Sequence, residues 1–114
     1  MFTTRRLLIV EDEHSLRRAI ERAFARRGFC VEAVSTCEEA AAARGPFDVG
    51  IFDVHLEDGS GIELAGRMKN EARVKRVLFY SGAVDASERA AAERHGELVL
   101  KREGVELLVE AVVG

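Results

Sequence analysis

The chain has 114 residues, the size of one compact domain, and 47% of them are hydrophobic, which is enough for a substantial core. A single proline and alternating helix-like and strand-like patterns exclude a disordered chain. The net charge of −3 gives no overall case for binding nucleic acid or a membrane surface, and no apolar stretch is long enough to span a bilayer. We therefore expect one domain over residues 1–114, without a signal peptide, in the cytoplasm.

The two cysteines, Cys30 and Cys37, belong to no CxxC motif and to no cluster of paired histidines. Such isolated cysteines are typical of proteins in a reducing compartment. We expect both to be free thiols that are buried or half-buried.

The first half of the chain predicts strands and helices in alternation. Apolar runs predict strands at residues 7–10, 29–34 and 49–52. Apolar residues at helical spacing from Leu16 to Phe24 predict a first helix, which Gly28 ends as a left-handed cap. A capping box at residues 35–39 opens a second helix, which runs to about Arg44.

The second half continues the alternation. Ser60 with Glu63 forms a capping box at the start of one helix. Asp85 caps the next helix with support from Glu88, and Gly96 closes it. The predicted strands are residues 77–80 and 98–100, and the predicted helices are residues 60–70, 85–96 and 104–113. Five strands alternating with five helices predict an α/β fold: a doubly wound, five-stranded parallel sheet with helices on both faces.

Polar residues follow the strands at the end where such a sheet binds ligands. They are Glu11 and Asp12 after the first strand, Asp53 after the third, Ser81 after the fourth and Lys101 after the fifth. Each alone has an ordinary explanation, such as an acid at a helix start, a turn serine or a solvated lysine. Their joint position at successive strand ends favours a common site.

The three carboxylates would repel one another unless a cation lay between them. Carboxylates, carbonyls and water are the ligands that Mg²⁺ prefers, and no thiol or imidazole cluster competes for a softer metal. In such a pocket Asp53 is an ionised nucleophile, and Lys101 and Ser81 can bind two oxygens of a phosphoryl group. The sequence therefore predicts a phosphoryl acceptor at Asp53.

Four segments of the chain resemble response-regulator receiver domains of two-component signalling, and together the resemblance covers nearly all 114 residues. These segments are residues 7–13 (LLIVEDE), 47–64 (FDVGIFDVHLEDGSGIEL), 77–83 (VLFYSGA) and 99–101 (VLK). The resemblance implies a flavodoxin-like fold and Mg²⁺-dependent transfer from a phosphohistidine, on a sensor histidine kinase or a histidine phosphotransfer protein. It implies that Asp53 is the acceptor and that Ser81 and Lys101 bind phosphoryl oxygens. The implied metal ligands are Asp53, Asp12, Glu11 through water, and the backbone carbonyl of His55.

The chain departs from the receiver pattern at several positions. Leu98 stands where the family usually has an aromatic residue, and Arg102 where it usually has a proline after the lysine, often with a cis bond. A non-proline cis bond costs about 2.5–4 kcal/mol, so this loop is either trans or strained. A proline usual near Glu57 is missing, and residues 95–101 are about two residues short. The face made by the fourth helix, the fifth strand and the fifth helix is the part least like the family, and that face usually carries dimerisation or output.

The three histidines have different expected roles. His55, two residues after Asp53, is expected either to modulate the lifetime of the acyl phosphate or to be an exposed loop residue. We place His14 in the first helical turn rather than on a metal. His95 is expected to complement a helix C-terminus.

Five arginines crowd the first helix and the turn after it: Arg17, Arg18, Arg22, Arg26 and Arg27. They form either a solvated helix face or a docking surface for an acidic partner. The resemblance implies that this helix matches the surface on which the family docks its phosphodonors, which raises the weight of the docking interpretation to equal that of the solvated face.

The leading hypothesis is a receiver domain in a phosphorelay that switches a protein–protein surface. We do not expect a turnover enzyme, since the domain would only catalyse the transfer of a phosphoryl group to itself and its own dephosphorylation. One alternative is a pseudo-receiver with phosphorylation-independent output, which Leu98 and Arg102 favour. Another is an aspartyl-phosphate phosphohydrolase. Such enzymes typically have a second acid two residues after the nucleophile, and His55 at this position disfavours that alternative. The downstream target is an unknown protein, a homodimer is compatible with the pattern, and we expect this domain to bind neither nucleic acid nor membrane.

Overall fold

The computed structural model describes residues 4–114, which contain a parallel sheet flanked by helices. Its strands are β1 (Arg6–Val10), β2 (Cys30–Val34), β3 (Phe47–Phe52), β4 (His55–Leu56), β5 (Gly59–Ser60), β6 (Val74–Ser81) and β7 (Gly96–Leu100). Its helices are α1 (His14–Ala25), α2 (Cys37–Ala42), α3 (Gly61–Asn70), α4 (Ala86–Glu93) and α5 (Val105–Val113). One turn of 3₁₀-helix covers Lys101–Glu103.

The main sheet has the strand order β2-β1-β3-β6-β7, and all its neighbouring strands pair in parallel. The chain winds outward in one direction from β1 to β2 and in the other from β3 to β7, so the order reverses between β1 and β3. The predicted five-stranded, doubly wound sheet is confirmed. The reversal places a crevice at the carboxyl ends of β1 and β3, where ligands bind in sheets of this kind.

Two apolar layers cover the sheet. One face packs against α2, α3 and α4, and the other against α1 and α5. The residues of β1 from Leu7 to Val10 are fully buried, because this central strand is covered on both faces. That double burial explains why the strand is a continuous apolar run and not an alternating pattern.

Several predicted boundaries were wrong for physical reasons. The strand predicted at residues 77–80 begins at Val74, where it already pairs with β3. The prediction missed this start because Lys75 and Arg76 are exposed and charged and so interrupt the apolar run. The fourth helix ends at Glu93, and Gly96 lies in β7 and does not close the helix. A Cβ on Gly96 would lie 1.8 Å from the carbonyl oxygen of Val77, so the close approach of β7 to β6 requires glycine there.

The helix starts follow the predicted capping residues. Asp85 and Glu88 form a complete capping box at α4. The hydroxyl of Ser60 accepts the Glu63 N–H at α3, and that of Thr36 caps α2 in the same way. The ends are less well predicted: α2 stops at Ala42, two residues early, and α5 begins one residue later than predicted.

The cysteines are both free, as expected, but their predicted burial was wrong for one of them. Cys37 is half-buried, whereas Cys30 is exposed because it opens β2, at the edge of the sheet. None of the helices within residues 4–114 combines the length and apolar character needed to cross a membrane.

Ala72, in the turn between α3 and β6, is the one non-glycine residue with positive φ within residues 4–114, at 60°. A left-handed conformation costs an L-residue about 1–2 kcal/mol, and glycine escapes this cost but loses more entropy on folding. Ala72→Gly is therefore expected to raise the free energy of unfolding by about 0.5–1 kcal/mol in urea denaturation. The matched change Ala90→Gly, within α4, should lower it by about 1 kcal/mol, and a loss at both positions would contradict the argument.

Candidate functional site

The carboxyl ends of β1, β3, β6 and β7 meet at one edge of the sheet. Phe52 pairs with Val10 on one side and with Phe79 on the other, so the residues after β1 and β3 emerge side by side. Ser81 and Leu100 are paired at the ends of β6 and β7. The sheet therefore brings together the four strand-end positions that the sequence singled out.

Asp53 lies at the centre of this edge, and only 6% of its surface is exposed. The Ser81 hydroxyl donates to Asp53 Oδ1 over 2.8 Å, and Lys101 Nζ donates to Asp53 Oδ2 over 2.8 Å. The Asp53 backbone N–H donates to the carbonyl of Val10. The two carboxylate oxygens are thus held by different donors, one at the end of β6 and one directly after β7, so the carboxylate has a fixed orientation.

Lys101 has a second acidic partner in Glu11, whose Oε1 lies 3.1 Å from the ammonium nitrogen. Glu11 is 2% exposed, and its Oε2 accepts the backbone N–H of Glu13 over 3.0 Å. One lysine therefore bridges the buried acids that follow β1 and β3.

The pKa values of these groups reflect the same contacts. Burial raises the pKa of Glu11, and the nearby Asp53 charge adds to this, against the lowering effects of the Glu13 N–H and Lys101. Burial alone would lower the pKa of Lys101, but its hydrogen bonds to Asp53 and Glu11 outweigh burial and raise it. Lys101 therefore stays protonated at physiological pH.

Glu11, Asp12 and Asp53 each offer a carboxylate oxygen, and these oxygens lie within 4.8 Å of one another. Three carboxylates and one ammonium leave two negative charges, which matches one divalent cation. The donors are all hard oxygens, and Asp12 is exposed, so solvent can supply further ligands. The residues present fit Mg²⁺.

The loop after Asp53 contains a short hairpin whose tip is hydrogen-bonded to the start of α2. Residues of β4 and β5 form a short antiparallel hairpin that the sequence did not predict. At the tip of this hairpin Asp58 accepts the backbone N–H groups of Cys37 and Glu38 at the start of α2, and these bonds lower the pKa of Asp58. Burial, with help from Asp58, raises the pKa of the Cys37 thiol to about 11, so it stays protonated.

His55, on β4, turns its side chain toward α4. Its Nε2 lies 2.5 Å from Glu88 Oε2, while its backbone N–H lies 3.4 Å from Asp53 Oδ1. The imidazole is thus engaged by a residue on α4 that the sequence marked only as a helix cap. Its expected effect on the lifetime of an acyl phosphate stays a prediction.

The other histidines are found away from the acids. His14 is the first residue of α1 and lies outside the acidic cluster, as expected. The ring of His95 packs against Gly66 on α3, where a Cβ would lie 2.9 Å from the ring. That contact explains a glycine within α3.

The arginines of the first helix divide into two groups. Arg17 donates to the carbonyl of Glu11 over 2.9 Å and lies 3.0 Å from His14 Nδ1, so it supports the site's backbone. Arg18 and Arg22 line an open cleft on the outer face of α1. A docking surface on this helix would therefore use Arg18 and Arg22 but not Arg17.

The departures around Lys101 have clear structural outcomes. Gly45–Pro46 is the one cis peptide bond in the described part of the chain, so the bond from Lys101 to Arg102 is trans. Leu98 is half-buried and packs against the core on the α2–α4 face, opposite Phe79. Arg102, Arg89 and Lys101 line a cavity of about 340 Å³ beside the loop that follows Ser81.

Sequence reasoning missed two contributors to the site. Glu88 reaches His55 across 33 residues of sequence, and no local pattern could reveal that pairing. Gly61, the first residue of α3, packs against the backbone of Asp53. A Cβ at this position would lie 1.7 Å from the Asp53 carbonyl oxygen. The unusual glycine at a helix start was the one available signal.

Residues 7–113 match the family model described as "Response regulator receiver domain". The chain belongs to this family. The receiver domain is 30% identical over 94 residues to the acid tolerance regulatory protein ActR of Rhizobium meliloti, a match that covers 81% of the chain and 48% of the relative. The chain thus spans about half the length of such curated relatives.

Solved structures show the same fold. A CheY-like receiver domain protein from Methanospirillum hungatei is 21% identical and superposes with a TM-score of 0.87, covering 96% of this chain and 91% of that one. TrrA from Thermotoga maritima, solved in complex with Mg(2+)-BeF, is 23% identical with a TM-score of 0.80, and the match covers 96% of both chains. The predicted flavodoxin-like receiver fold is therefore confirmed. The receiver domain family is not one of classical enzymes.

Proposed function

We propose that Asp53 accepts a phosphoryl group from a phosphohistidine, with Mg²⁺ held by Glu11, Asp12 and Asp53. One observation carries the proposal: a buried aspartate is held by a hydroxyl and an ammonium group inside a cluster of carboxylates. Each group has a use in phosphoryl transfer, which depends mainly on positioning and charge. The backbone carbonyl of His55 is proposed as a further metal ligand, following the resemblance.

The residues of the chain divide the chemistry between them. An oxygen of Asp53 forms the new bond to phosphorus while the bond from phosphorus to the donor imidazole breaks, and its electron pair leaves with that nitrogen. Lys101 and Ser81 already donate to this carboxylate, and both can turn to the oxygens of the incoming phosphoryl group. When bound, Mg²⁺ would neutralise charge on the carboxylates and the phosphoryl group.

Two of the similar solved structures support the proposed metal and the phosphoryl-accepting site. TrrA was solved with Mg(2+)-BeF, and the receiver domain of DrrB is described as activated by BeF3. These statements concern proteins that are 23% and 20% identical to this chain. The complete set of acids, hydroxyl and lysine in this chain is the stronger support, and it disfavours the pseudo-receiver alternative.

The proposed partners follow from the family. Response-regulator receiver domains interact with histidine kinases, and we propose such a kinase or a histidine phosphotransfer protein as donor. The cleft lined by Arg18 and Arg22 is the proposed contact for its acidic surface. The proposed output is a changed surface for a downstream protein or for a second copy of the chain.

Replacing Asp53 by asparagine tests the proposal directly. With Mg²⁺ and acetyl phosphate, intact-mass spectrometry of the wild-type protein is expected to show one added phosphoryl group, because the buried carboxylate is the nucleophile. Asp53→Asn should show none. Glu57→Gln, which removes an exposed acid from the same loop, should be modified like the wild type.

Two results would overturn the proposal. One is a wild-type protein that gains no adduct in Mg²⁺ and shows no change of its amide spectrum with beryllofluoride. The other is an Asp53→Asn variant that is modified as fully as the wild type. Replacing Mg²⁺ with a chelator should abolish the adduct in the wild type and in Glu57→Gln.

A further inference from the structure

The carboxylate of Glu88 makes two different contacts. Its Oε1 accepts the backbone N–H of Asp85 over 2.9 Å and so closes the capping box of α4. Its Oε2 contacts His55 Nε2 at 2.5 Å. A single side chain thus joins the first turn of α4 to the hairpin that carries His55.

The other end of this connection reaches the acceptor. The His55 backbone N–H points to Asp53 Oδ1 at 3.4 Å, a distance at which attraction is weak but can strengthen as negative charge grows. From Asp53 to the start of α4, the contacts run through the backbone and ring of His55 and then through Glu88. The connection is continuous and crosses no solvent gap.

The contact does not depend on a charged imidazole. A neutral histidine that carries its proton on Nε2 donates to a carboxylate. The pair borders a cleft of about 310 Å³, with Val54, Leu56 and Ile62 as its apolar lining. The His55–Glu88 pair thus joins the hairpin to the first turn of α4 at the edge of this cleft.

We infer that the His55–Glu88 pair couples Asp53 to the first turn of α4, so that phosphorylation of Asp53 is read at that helix through this contact. The inference rests on the proposed function, since it takes phosphorylation of Asp53 as its input. It gives His55 and Glu88 the role of positioning residues, which do not touch the phosphoryl group through their side chains.

The physical basis is a change of charge beside a weak hydrogen bond. Phosphorylation brings the site an added charge of about −1.5 to −2, which pulls on the nearby N–H of His55. Any shift of that backbone moves the imidazole, and Glu88 must follow or release it. Because Glu88 also caps α4, either response changes the first turn of the helix.

The apolar side chain at position 98 supports a route through His55 and Glu88. Leu98 has no polar group, and it is packed into the apolar layer on the α2–α4 face. The Leu98 side chain therefore cannot form a hydrogen bond when charge is added at Asp53, whereas His55 and Glu88 already form hydrogen bonds. His55 lies on the hairpin and Glu88 lies on α4, and both elements border the site.

The test compares amide NMR spectra of the Mg²⁺-loaded receiver domain with and without beryllofluoride. In the wild type, we expect changes at Ser81 and Gly82 and also along α4. His55→Ala and Glu88→Ala should each reduce the mean change along α4 by about twofold or more, with the changes at Ser81 and Gly82 retained. The double variant should show no further reduction, because both substitutions remove one contact.

Asp85→Ala is the matched control, because it removes the cap of α4 and leaves the His55–Glu88 contact in place. Its α4 response should remain near that of the wild type. The inference is overturned if α4 does not respond in the wild type, if the single variants respond normally, or if their effects add. If Ser81 and Gly82 also fail to respond in the wild type, the proposed function itself has failed.

Discussion

Lys101→Met is expected to lower the free energy of unfolding by about 2–3 kcal/mol in buffer without Mg²⁺. The substitution leaves Asp53 and Glu11 buried, at 6% and 2% exposure, without their shared cation. Breaking a buried ion pair typically costs about 3–5 kcal/mol, and the 28% exposure of the lysine side chain brings the expected cost to the bottom of this range or just below it. Urea denaturation followed by circular dichroism measures the loss.

Mg²⁺ should reverse most of this loss. Without Lys101 the acidic cluster carries one more net negative charge, so the variant is expected to bind Mg²⁺ more tightly than the wild type. A concentration about a hundredfold above the Kd adds about 2.7 kcal/mol of stability. The control Lys75→Met removes a lysine that is 72% exposed, and it should change stability by less than about 0.5 kcal/mol. A loss at Lys101 no larger than at Lys75 would refute the argument.

The grouping of the candidate site residues could be predicted from the sequence because these residues directly follow the strands. A parallel sheet places all carboxyl ends at one edge, so the residue type after each strand is informative without knowledge of side-chain positions. Asp53, Ser81 and Lys101 are separated by up to 48 residues, yet they meet within 2.8 Å. The apolar runs that locate the strand ends come from burial on both faces, which is a strong signal.

Other features depend on contacts that leave no local pattern. The β4–β5 hairpin has two residues in each strand, too few for an alternating pattern. The position of Gly96 in a strand follows from a backbone approach to Val77, which only the packed sheet creates. The pairing of His55 with Glu88 is likewise a consequence of how the hairpin faces α4. Spacing rules cannot predict contacts of this kind.

Gly61→Ala is expected to lower the free energy of unfolding by about 3 kcal/mol, the upper range for an overpacked core. A Cβ on Gly61 would lie 1.7 Å from the carbonyl oxygen of Asp53 and 2.8 Å from its carbonyl carbon. Both are backbone atoms, so either α3 or the acceptor residue must move. Urea denaturation measures the loss, and the fraction of protein that gains an acetyl phosphate adduct should also fall, because the Asp53 carboxylate leaves its donors.

The sign of the effect separates two explanations for this glycine. Gly61 is the first residue of α3, and helix propensity alone favours alanine over glycine by up to about 1 kcal/mol. A stabilised variant would therefore show that the close approach to Asp53 is unimportant. Gly82→Ala is the matched control, since a Cβ there has no atom within 4 Å, and it should leave stability within about 0.5 kcal/mol of the wild type. A large loss at Gly61 with none at Gly82 means that the start of α3 holds the backbone of Asp53 in place.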